Sequence, residues 1–574
     1  MPLLRRLATA GLTALLLAGP LAAPAAAAGA HTSARERHRV DAVRTPKLQW
    51  YKCYVWAECA TARVPLDYDR SHGQTTEVAL LRVRAKDRKH KIGSLFVNPG
   101  GPGGSATQFA LLSPLFLSEP VLDRFDIVGM DPRGVGFSDT AECFTSTGAQ
   151  TKALVGMTPL FPYGSKEEKA YIKSAEKLGK ACSTTGRPLT GAMSTAEVAR
   201  DMDLMRRAVG DSKLNYLGFS YGSALGSYYA DMFPDRFRTI AVDGVIDPKS
   251  WVGTKKTQNT VQDVRLDSAG GAYRAFAEIM NRCSKAGTKK CAFAGGNTLV
   301  KFHNISEHLK RKPITVPVPV LGVTLKVTYA DFIGDVLSAL YSPGAGEEVT
   351  MLAADMRLMV AGGTGIKAAQ TRYATRIQRR LARSFPYDNS LDAYASIMCT
   401  DALHPADAKK WPAMAAKADR KAPYFGRAWT WASVQCARKT WTVRDEDAHT
   451  GPFTTKTKNT VLVVGSYWDP ATNYRDAVRT AKRLPNSRLL SSNNWGHTAY
   501  GTSTCATGAI DRYLLTKRLP AKGTLCRAPQ PFTTALMLPP DDLELSAASV
   551  SATVAKGFPA PGTPKQLPPI AGRR

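Results

Sequence analysis

The sequence lacks the signatures of several common function classes. Its ten cysteines include no CxxC pair, and no cluster of His and Cys has the spacing of a zinc site, so we expect no bound metal. The phosphate-binding pattern GxxxxGKS/T is absent, and no nucleotide fingerprint completes a glycine-rich stretch. Beyond residue 28, no apolar run reaches the ~20 residues that a membrane-spanning helix needs. We therefore expect neither a cofactor nor a membrane span.

Acidic residues are in the minority: 47 Asp and Glu stand against 77 Lys and Arg, and the formal net charge is +30. Nucleic-acid-binding proteins have such a balance, but they gather their basic residues on one motif with base-reading or aromatic neighbours. Here the basic residues are scattered, and the densest runs, Lys86–Lys91 and Arg379–Arg383, are typical of a solvated surface. We expect no nucleic-acid partner. Adsorption to anionic cell-wall polymers is a hypothesis that the charge supports.

The first 28 residues have the pattern of a secretory signal peptide. Arg5 and Arg6 form a charged start, Leu7–Ala18 is almost wholly apolar, and Pro20–Ala28 is rich in small residues. The apolar run is too short to cross ~30 Å of hydrocarbon. We expect cleavage after residue 28 and a secreted, extracellular protein, with residues 29–45 as a candidate pro-segment.

Ten cysteines in a chain expected to leave the cell favour a disulfide framework, because nothing outside the cytosol keeps thiols reduced. Connectivity does not follow from sequence, but pairing of sequence neighbours closes short loops. On that basis we predict the pairs Cys53–Cys59, Cys143–Cys182, Cys283–Cys291, Cys399–Cys436 and Cys505–Cys526.

Short apolar, β-branched runs occur in two parts of the chain, residues 46–246 and 456–530. Such runs without strict polar alternation are typical of strands covered on both faces. Helical stretches lie between some of these runs, and Ser194–Gly210 is the clearest, because Ser194 and Glu197 have capping-box spacing. Strand alternating with helix predicts an α/β fold with a mostly parallel sheet. The strand-like runs are Glu77–Val83, Ser94–Asn98, Asp126–Met130, Leu214–Gly218, Thr239–Val242, Thr460–Gly465 and Arg488–Ser491.

The alternation lapses over residues 247–455, an interval rich in Ala, Lys, Arg and Met. We interpret it as a large, mainly helical cap inserted between the two strand-bearing parts. After Cys526 the chain becomes proline-rich and loses periodicity, so residues 531–574 are predicted to form a tail without a packed core.

The stretch LGFSYGS, Leu217–Ser223, contains the pattern Gly-x-Ser-x-Gly. The pattern alone is weak, but a plausible strand precedes it and a plausible helix follows. A serine at a sharp strand-to-helix turn is a nucleophile elbow, in which glycines avoid clashes and the hydroxyl is exposed. Gly218, Gly222 and Gly226 supply the small residues. We therefore interpret Ser220 as the nucleophile.

A serine nucleophile needs a base, and His497 is the histidine that follows the last candidate strand. An acid must orient that imidazole, and Asp469 follows the preceding strand-like run by one short turn. The resulting order Ser220, Asp469, His497 is that of α/β-hydrolases. Asp243 and Asp247, in DGVIDP, are the alternatives for the acid.

Hydrolysis of an acyl group also needs two N–H donors for the oxyanion. One is expected from the residue after the nucleophile, Tyr221, and the other from an earlier loop. The stretch NPGGPGGS, Asn98–Ser105, is too glycine-rich for regular structure and follows a strand. Gly101 is our choice for the second donor, with Gly100 as the alternative.

Together these motifs resemble the α/β-hydrolase serine peptidases of the prolyl aminopeptidase and secreted tripeptidyl aminopeptidase family. Pro99 departs from the prolyl aminopeptidases, which carry His before the two glycines, and is more similar to the exported branch. The matching stretches are NPGGPGGS at Asn98, FDIVGMDPRGVGFS at Phe125, LGFSYGSALGSYYADMFP at Leu217, DGVIDP at Asp243, VLVVGSYWDP at Val461 and WGHTAYGTSTC at Trp495.

The resemblance implies an α/β-hydrolase core with a cap, and hydrolysis of peptide bonds near a free N-terminus. A carboxylate in the cap must then pair with the substrate ammonium, and Asp401, Glu347 and Glu348 are the candidates. We expect a tripeptidyl aminopeptidase, which releases three residues at a time, with release of one residue as the alternative. We expect a monomer that acts on peptides with a free N-terminus.

Two other functions fit the same motifs. A secreted esterase or lipase would use the same triad, although a lipase lid should offer a broad apolar face and residues 247–455 carry many Lys and Arg. A catalytically idle α/β-hydrolase could instead serve as a cationic wall-binding protein. The presence of all three triad residue types in order argues against that second alternative.

Overall fold

The computed structural model describes residues 30–318, 323–362, 365–381 and 389–533, with the side chains of 376–381 left out. The expected signal peptide, the last two residues of the Arg379–Arg383 run and nearly all of the expected tail lie outside the described residues. No helix among the described residues is both long enough and apolar enough to cross a membrane.

Ten strands form one sheet, and two more form a small separate hairpin. The strands are β1 (Tyr51–Tyr54), β2 (Ala57–Pro65), β3 (Thr75–Val83), β4 (Gly93–Asn98), β5 (Phe125–Met130), β6 (Leu214–Phe219), β7 (Phe237–Asp243), β8 (Ile314–Val318), β9 (Val323–Val327), β10 (Val461–Trp468), β11 (Ser487–Trp495) and β12 (Leu525–Cys526).

The helices alternate with the strands of the sheet and crowd together between β7 and β10. They are α1 (Ala34–Asp41), α2 (Ala106–Leu111), α3 (Glu119–Arg124), α4 (Thr147–Leu154), α5 (Ser165–Thr184), α6 (Thr195–Ala208), α7 (Tyr221–Met232), α8 (Pro248–Val252), α9 (Gln262–Leu266), α10 (Ser268–Ala286), α11 (Thr298–Arg311), α12 (Tyr329–Leu340), α13 (Ala345–Ala361), α14 (Ile366–Leu381), α15 (Ser390–Asp401), α16 (Trp411–Lys421), α17 (Phe425–Thr430), α18 (Tyr474–Arg483) and α19 (Thr504–Thr516).

The sheet order is β1-β2-β3-β5-β4-β6-β7-β10-β11-β12. Pairing is antiparallel from β1 to β5 and parallel from β5 through β4 to β12. Strand β4 is buried along its whole length, as expected for a parallel strand covered on both faces. The predicted mostly parallel α/β sheet is confirmed.

Helices cover both faces of the sheet. Helices α6, α7 and α18 pack on one face, and α2, α3 and α19 on the other. Helix α6 begins where predicted, because the Ser194 hydroxyl accepts a hydrogen bond from Glu197 N–H (3.2 Å). The Glu197 side chain does not complete the capping box; it pairs instead with Arg200 and Arg133.

The chain between β7 and β10 folds into a helical cap with its own hydrophobic core. The hairpin β8–β9 belongs to this cap. Helix α5, from before the insertion, also joins it: Tyr171 packs edge-on against Trp431 with ring centroids 5.2 Å apart. The predicted helical cap over the sheet is thus present and recruits one helix from the first part of the core.

The N-terminal helix α1 packs firmly against the core. Arg39 is 3% exposed and pairs with Asp69 (2.6 Å) and Asp447 (3.1 Å). Thr32, also buried, donates to Asp235. Residues 30–45 therefore belong to the folded unit that the structure describes.

All five predicted disulfides are present, with the predicted partners. Cys399–Cys436 joins the C-terminal turn of α15 to the segment after α17, which ties two parts of the cap together.

Candidate active site

Ser220 lies at the turn between β6 and α7. Its backbone has φ 54° and ψ −124°, a conformation that costs a non-glycine residue about 1–3 kcal/mol. Space at this turn is tight, because a Cβ on Gly222 would lie 2.7 Å from the Asn98 carbonyl oxygen. The Ser220 N–H donates to the Asp243 carbonyl (3.0 Å), which holds the turn against β7. The serine therefore occupies a strained turn of the elbow type.

His497 and Asp469 form a close pair at the same edge of the sheet. Asp469 follows β10 and is fully buried, and its two oxygens lie 2.8 and 3.0 Å from His497 Nδ1. The N–H groups of Ala471 and Thr472 also donate to Asp469 Oδ1, and these hydrogen bonds fix the carboxylate. His497 Nε2 is buried and has no hydrogen-bond partner among the described residues. The imidazole is thus oriented by the acid and retains a free nitrogen.

The segment Asp243–Gly244 contacts both the Ser220 turn and the His497 side chain. Asp243 accepts the Ser220 N–H on one side, and a Cβ on Gly244 would lie 3.0 Å from His497 Cε1 on the other. Gly244 has φ +65°, so both its conformation and its contact favour glycine. Two consecutive backbone positions therefore link the nucleophile turn with the imidazole edge.

The electrostatics of the pair favour a proton acceptor at His497. Burial alone lowers the pKa of His497, but the charge of Asp469 and its hydrogen bond outweigh burial and raise it, with a smaller contribution from Asp243. Burial alone raises the pKa of Asp469, whereas His497 and the backbone donors lower it below its ordinary value. Asp469 is therefore ionised at neutral pH and stabilises a protonated imidazole.

Of the alternative acids, Asp247 serves another purpose. It caps α8 by accepting from Ser250 N–H (3.1 Å) and Oγ (2.7 Å), and it pairs with Arg483. Asp243 lies close enough to affect the pKa of His497, but its hydrogen bonds go to the backbone of Ala499 and Tyr500.

The glycine-rich loop after β4 lies directly against the elbow. A Cβ on Gly100 would lie 2.7 Å from Tyr221 N and 2.8 Å from Ser220 Cβ. The Gly100 N–H already donates to Asn98 Oδ1 (2.9 Å), so Gly101 remains the predicted second donor. Tyr221 is the first residue of α7, so its N–H has no acceptor within the helix. The Tyr221 N–H is thus a backbone donor beside Ser220 that has no acceptor in its own helix.

Cap residues surround this site. His497 N–H donates to the Tyr341 carbonyl (3.0 Å), and the Tyr341 ring packs edge-on against the imidazole with centroids 5.1 Å apart. On the other side, Gly103 backs onto helix α15 at Tyr394 N. Access to the hydroxyl is therefore governed by the cap.

The structure places the three carboxylates predicted to bind a substrate ammonium in different surroundings. Asp401 is buried and accepts from Thr195 N–H (2.7 Å), from Thr195 Oγ1 and from Trp251 Nε1 (2.8 Å). Glu347 accepts from Phe532 N–H (3.3 Å), and Glu348 accepts from the Ser342 hydroxyl. Glu348 is thereby tied to the Tyr341–Ser342 segment, which touches the His497 loop.

A fourth carboxylate, Asp263 on α9, was missed by the sequence analysis. It is 6% exposed, and its Oδ2 has no hydrogen-bond partner among the described residues. Burial raises its pKa to about 7. Its charge acts on both Tyr341 and Tyr394, which flank the site. No local motif marks Asp263, because its position depends on how the cap folds back over the sheet.

A further cluster of acids lies elsewhere. Glu197, Asp445 and Asp447 have oxygens within 4.8 Å of one another and line a cavity of about 550 Å³, to which none of the triad residues contributes. Arg200 bridges Glu197 and Asp447 at 2.7 and 2.9 Å. A guanidinium therefore already supplies positive charge at this cluster.

Two family models match the chain. Residues 93–279 match the α/β-hydrolase fold, and residues 422–526, which carry Asp469 and His497, match the family described as TAP-like protein. The second match covers the end of the cap and the C-terminal strands.

Curated relatives match nearly the whole chain. Tripeptidyl aminopeptidase of Streptomyces lividans is 30% identical, and the alignment covers 90% of this chain and 96% of the relative. Serine protease Hip1 of Mycobacterium tuberculosis is 31% identical over 82% of this chain and 87% of its own length. Carboxylesterase B of Mycobacterium tuberculosis is 29% identical over 89% of this chain and 96% of its own length.

Proposed function

We propose that this chain, which belongs to the tripeptidyl aminopeptidase family of α/β-hydrolase serine peptidases, releases tripeptides from the free N-terminus of peptides outside the cell. The observation that carries the proposal is the orientation of His497. Its Nδ1 is held by Asp469, and its Nε2 is unpartnered within the described part of the chain, next to the segment that holds the Ser220 turn.

The mechanism that this geometry supports is acyl transfer through Ser220. His497 Nε2 takes the hydroxyl proton as Ser220 Oγ attacks the scissile carbonyl, and Asp469 stabilises the imidazolium that forms. The N–H groups of Tyr221 and Gly101 receive the oxyanion. The imidazolium then protonates the leaving amine. A water molecule, deprotonated by the same nitrogen, attacks the acyl-enzyme carbonyl; the bond to Ser220 Oγ breaks, the imidazolium returns the proton to Oγ, and the N-terminal fragment is released.

Release of a defined number of residues requires an anchor for the substrate ammonium. Three extended residues span about 10 Å, so the anchor must lie about that far from the attacked carbonyl. Asp263 and Glu348 are favoured by their proximity to Tyr341 and the His497 loop. Asp401 already accepts three hydrogen bonds from the protein, and Glu347 binds the backbone beside the C-terminal segment. We rank Asp263 first, because its Oδ2 accepts no hydrogen bond from the described residues.

The test compares a decapeptide with a free amino end and the same peptide with an acetylated end. We expect successive tripeptides, identified by mass spectrometry, from the free peptide and none from the blocked one. D263N should lose this discrimination, whereas E347Q should keep it. Release of single residues, or cleavage within the blocked peptide, would refute tripeptidyl specificity.

Export is the second part of the proposal. Five disulfides and the pattern of the first 28 residues support it. Because α1 is packed by buried ion pairs, we propose that residues 30–45 remain attached to the mature enzyme. N-terminal sequencing of the protein from culture medium tests this; a start near residue 46 would contradict it. Release from cell walls by salt would test adsorption through the positive charge.

An esterase is the second candidate, since one relative is a carboxylesterase. The same triad would serve an ester, and only the cap would differ in what it admits. Turnover of a tripeptide anilide should exceed that of a short acyl ester of equal concentration. The reverse order would favour the esterase, and failure of a fluorophosphonate to label Ser220 would favour an idle wall-binding protein.

A further inference from the structure

A second buried carboxylate lies beside the catalytic pair. Asp243 ends strand β7, is fully buried, and lies near enough to His497 and Asp469 that each charge affects the others. Its Oδ1 accepts no hydrogen bond from the described residues. A buried carboxylate is costly to ionise, so its presence here calls for a role.

Asp243 joins the nucleophile turn to the histidine loop. Its backbone carbonyl accepts from Ser220 N–H (3.0 Å). Its side-chain Oδ2 accepts from the N–H groups of Ala499 and Tyr500, both at 2.8 Å. These residues lie two and three positions after His497, so one residue fixes the backbone on both sides of the reacting atoms.

The loop that bears His497 is also tied to the acid loop and to the cap. Thr498 N–H reaches Asp469 only at 3.3 Å, and His497 N–H is held by the cap through the Tyr341 carbonyl. The Asp243 side chain therefore binds this loop to strand β7, in addition to the hydrogen bond that Asn494, at the end of β11, donates to the Thr498 carbonyl (2.8 Å).

We propose that Asp243 is a positioning residue, which holds the His497 loop in register with the Ser220 turn and adds a second negative charge beside the imidazole. This inference rests on the proposed role of Ser220 and His497. The titratable groups that face Asp243 are Asp469, from the loop after β10, and His497, from the loop after β11. The pKa of Asp243, raised by burial to about 6, leaves it ionised at neutral pH.

Two variants separate the two effects. D243N keeps an oxygen for the Ala499 and Tyr500 N–H groups but removes the charge, and D243A removes both. D247N is the matched control: it also removes the charge of a buried carboxylate in the same DGVIDP segment, one that caps α8 and pairs with Arg483 instead. The rate of Ser220 labelling by a fluorophosphonate is measured against pH, and urea unfolding reports whether each variant is folded.

In D243N, the midpoint of the pH dependence of labelling should move down by about half a unit or more, because the imidazolium loses a neighbouring negative charge. In D243A, the labelling rate at its pH optimum should fall about tenfold or more, since the base is no longer aligned. D247N should leave both unchanged. An unshifted midpoint in D243N together with an unchanged optimum rate in D243A would overturn the proposal.

Labelling does not depend on which substrate the enzyme takes. A wild-type chain that labels but does not release tripeptides would refute the proposed specificity and leave the role of Asp243 open to the same measurement. Should D243A not fold, the midpoint of D243N alone decides: a shift supports the proposal and no shift refutes it.

Discussion

Trp468 and Trp495 stack face to face, with ring centroids 4.7 Å apart and planes inclined by 6°. Trp468 directly precedes the acid Asp469, and Trp495 lies two residues before His497. Arg282 from the cap lies over the Trp495 ring, 5.5 Å from its centroid. The stack therefore aligns the two loops whose side chains must meet, and it ties both to the cap.

W468A should lower kcat about tenfold and leave KM nearly unchanged, because the acid loop loses its alignment with the base loop. The lost stacking and burial should also cost about 2 kcal/mol of unfolding free energy. Steady-state kinetics with a tripeptide anilide and urea unfolding measure the two effects. W56A, at the far edge of the sheet, is the control, and an equal loss of kcat in W56A would contradict the assignment.

The strained turn at Ser220 gives a prediction that separates activity from stability. S220A and S220G should both lose about 10⁶ in turnover, since either removes the nucleophile. S220G should also be more stable than S220A by about 1 kcal/mol, because glycine adopts φ 54° at little cost. Chemical unfolding of the two inactive variants measures this difference; equal stability would mean that the turn is not strained.

The resemblance recognised from the motifs is confirmed by relatives that match nearly the whole chain. The fold could be predicted because its evidence is local: buried strands, Ser194 before its helix, and glycines around Ser220 each leave a pattern within a few residues. The disulfide pairs could be predicted because their partners are sequence neighbours.

The surroundings of the site could not be predicted in the same way. Asp263 and Tyr341 reach it only after the cap folds over the sheet, and no pattern near either residue reports that contact. Asp401 shows the opposite case. It was one of three candidates for binding the substrate ammonium, and in the structure its oxygens accept from Thr195 and Trp251, while Thr195 Oγ1 in turn contacts Tyr221 Oη. Hydrogen bonds between residues 150 and 206 positions apart are not visible in a sequence.

The disulfides should contribute different amounts to the free energy of unfolding, because they close loops of different lengths. Cys399–Cys436 spans 37 residues and should contribute about 4 kcal/mol, whereas Cys53–Cys59 spans 6 and should contribute about 2 kcal/mol. Removal of the first should also slow turnover, because Asp401 follows Cys399 by two residues and supports the start of α6 next to Tyr221. Double serine variants of each pair, compared by urea unfolding and kcat, test both statements. A larger loss of kcat from the shorter loop would contradict them.

The buried carboxyl groups predict how stability depends on pH. Burial raises the pKa of Asp243 and of Asp401 to about 6 and that of Asp263 to about 7, and burial beside Asp447 raises the pKa of Asp445 as well. Between pH 4 and these values the folded chain binds protons that the unfolded chain does not. Stability must therefore fall as pH rises through this range.

His497 acts in the same direction, because its pKa is raised in the folded chain. His404 opposes it: burial lowers its pKa to about 3, so the folded chain loses stability as pH falls below the ordinary histidine value. Above pH 6.5 that opposing effect is small, because the unfolded histidine is then mostly neutral as well. The free energy of unfolding should thus increase by roughly 2 kcal/mol when the pH is lowered from 8 to 6.5. Urea unfolding at several pH values measures it, and D263N should show a smaller slope than the parent chain because one of the contributing groups is removed. Stability that stays constant or rises between pH 6.5 and 8 would show that these carboxyl groups are not held in the protonated form by burial.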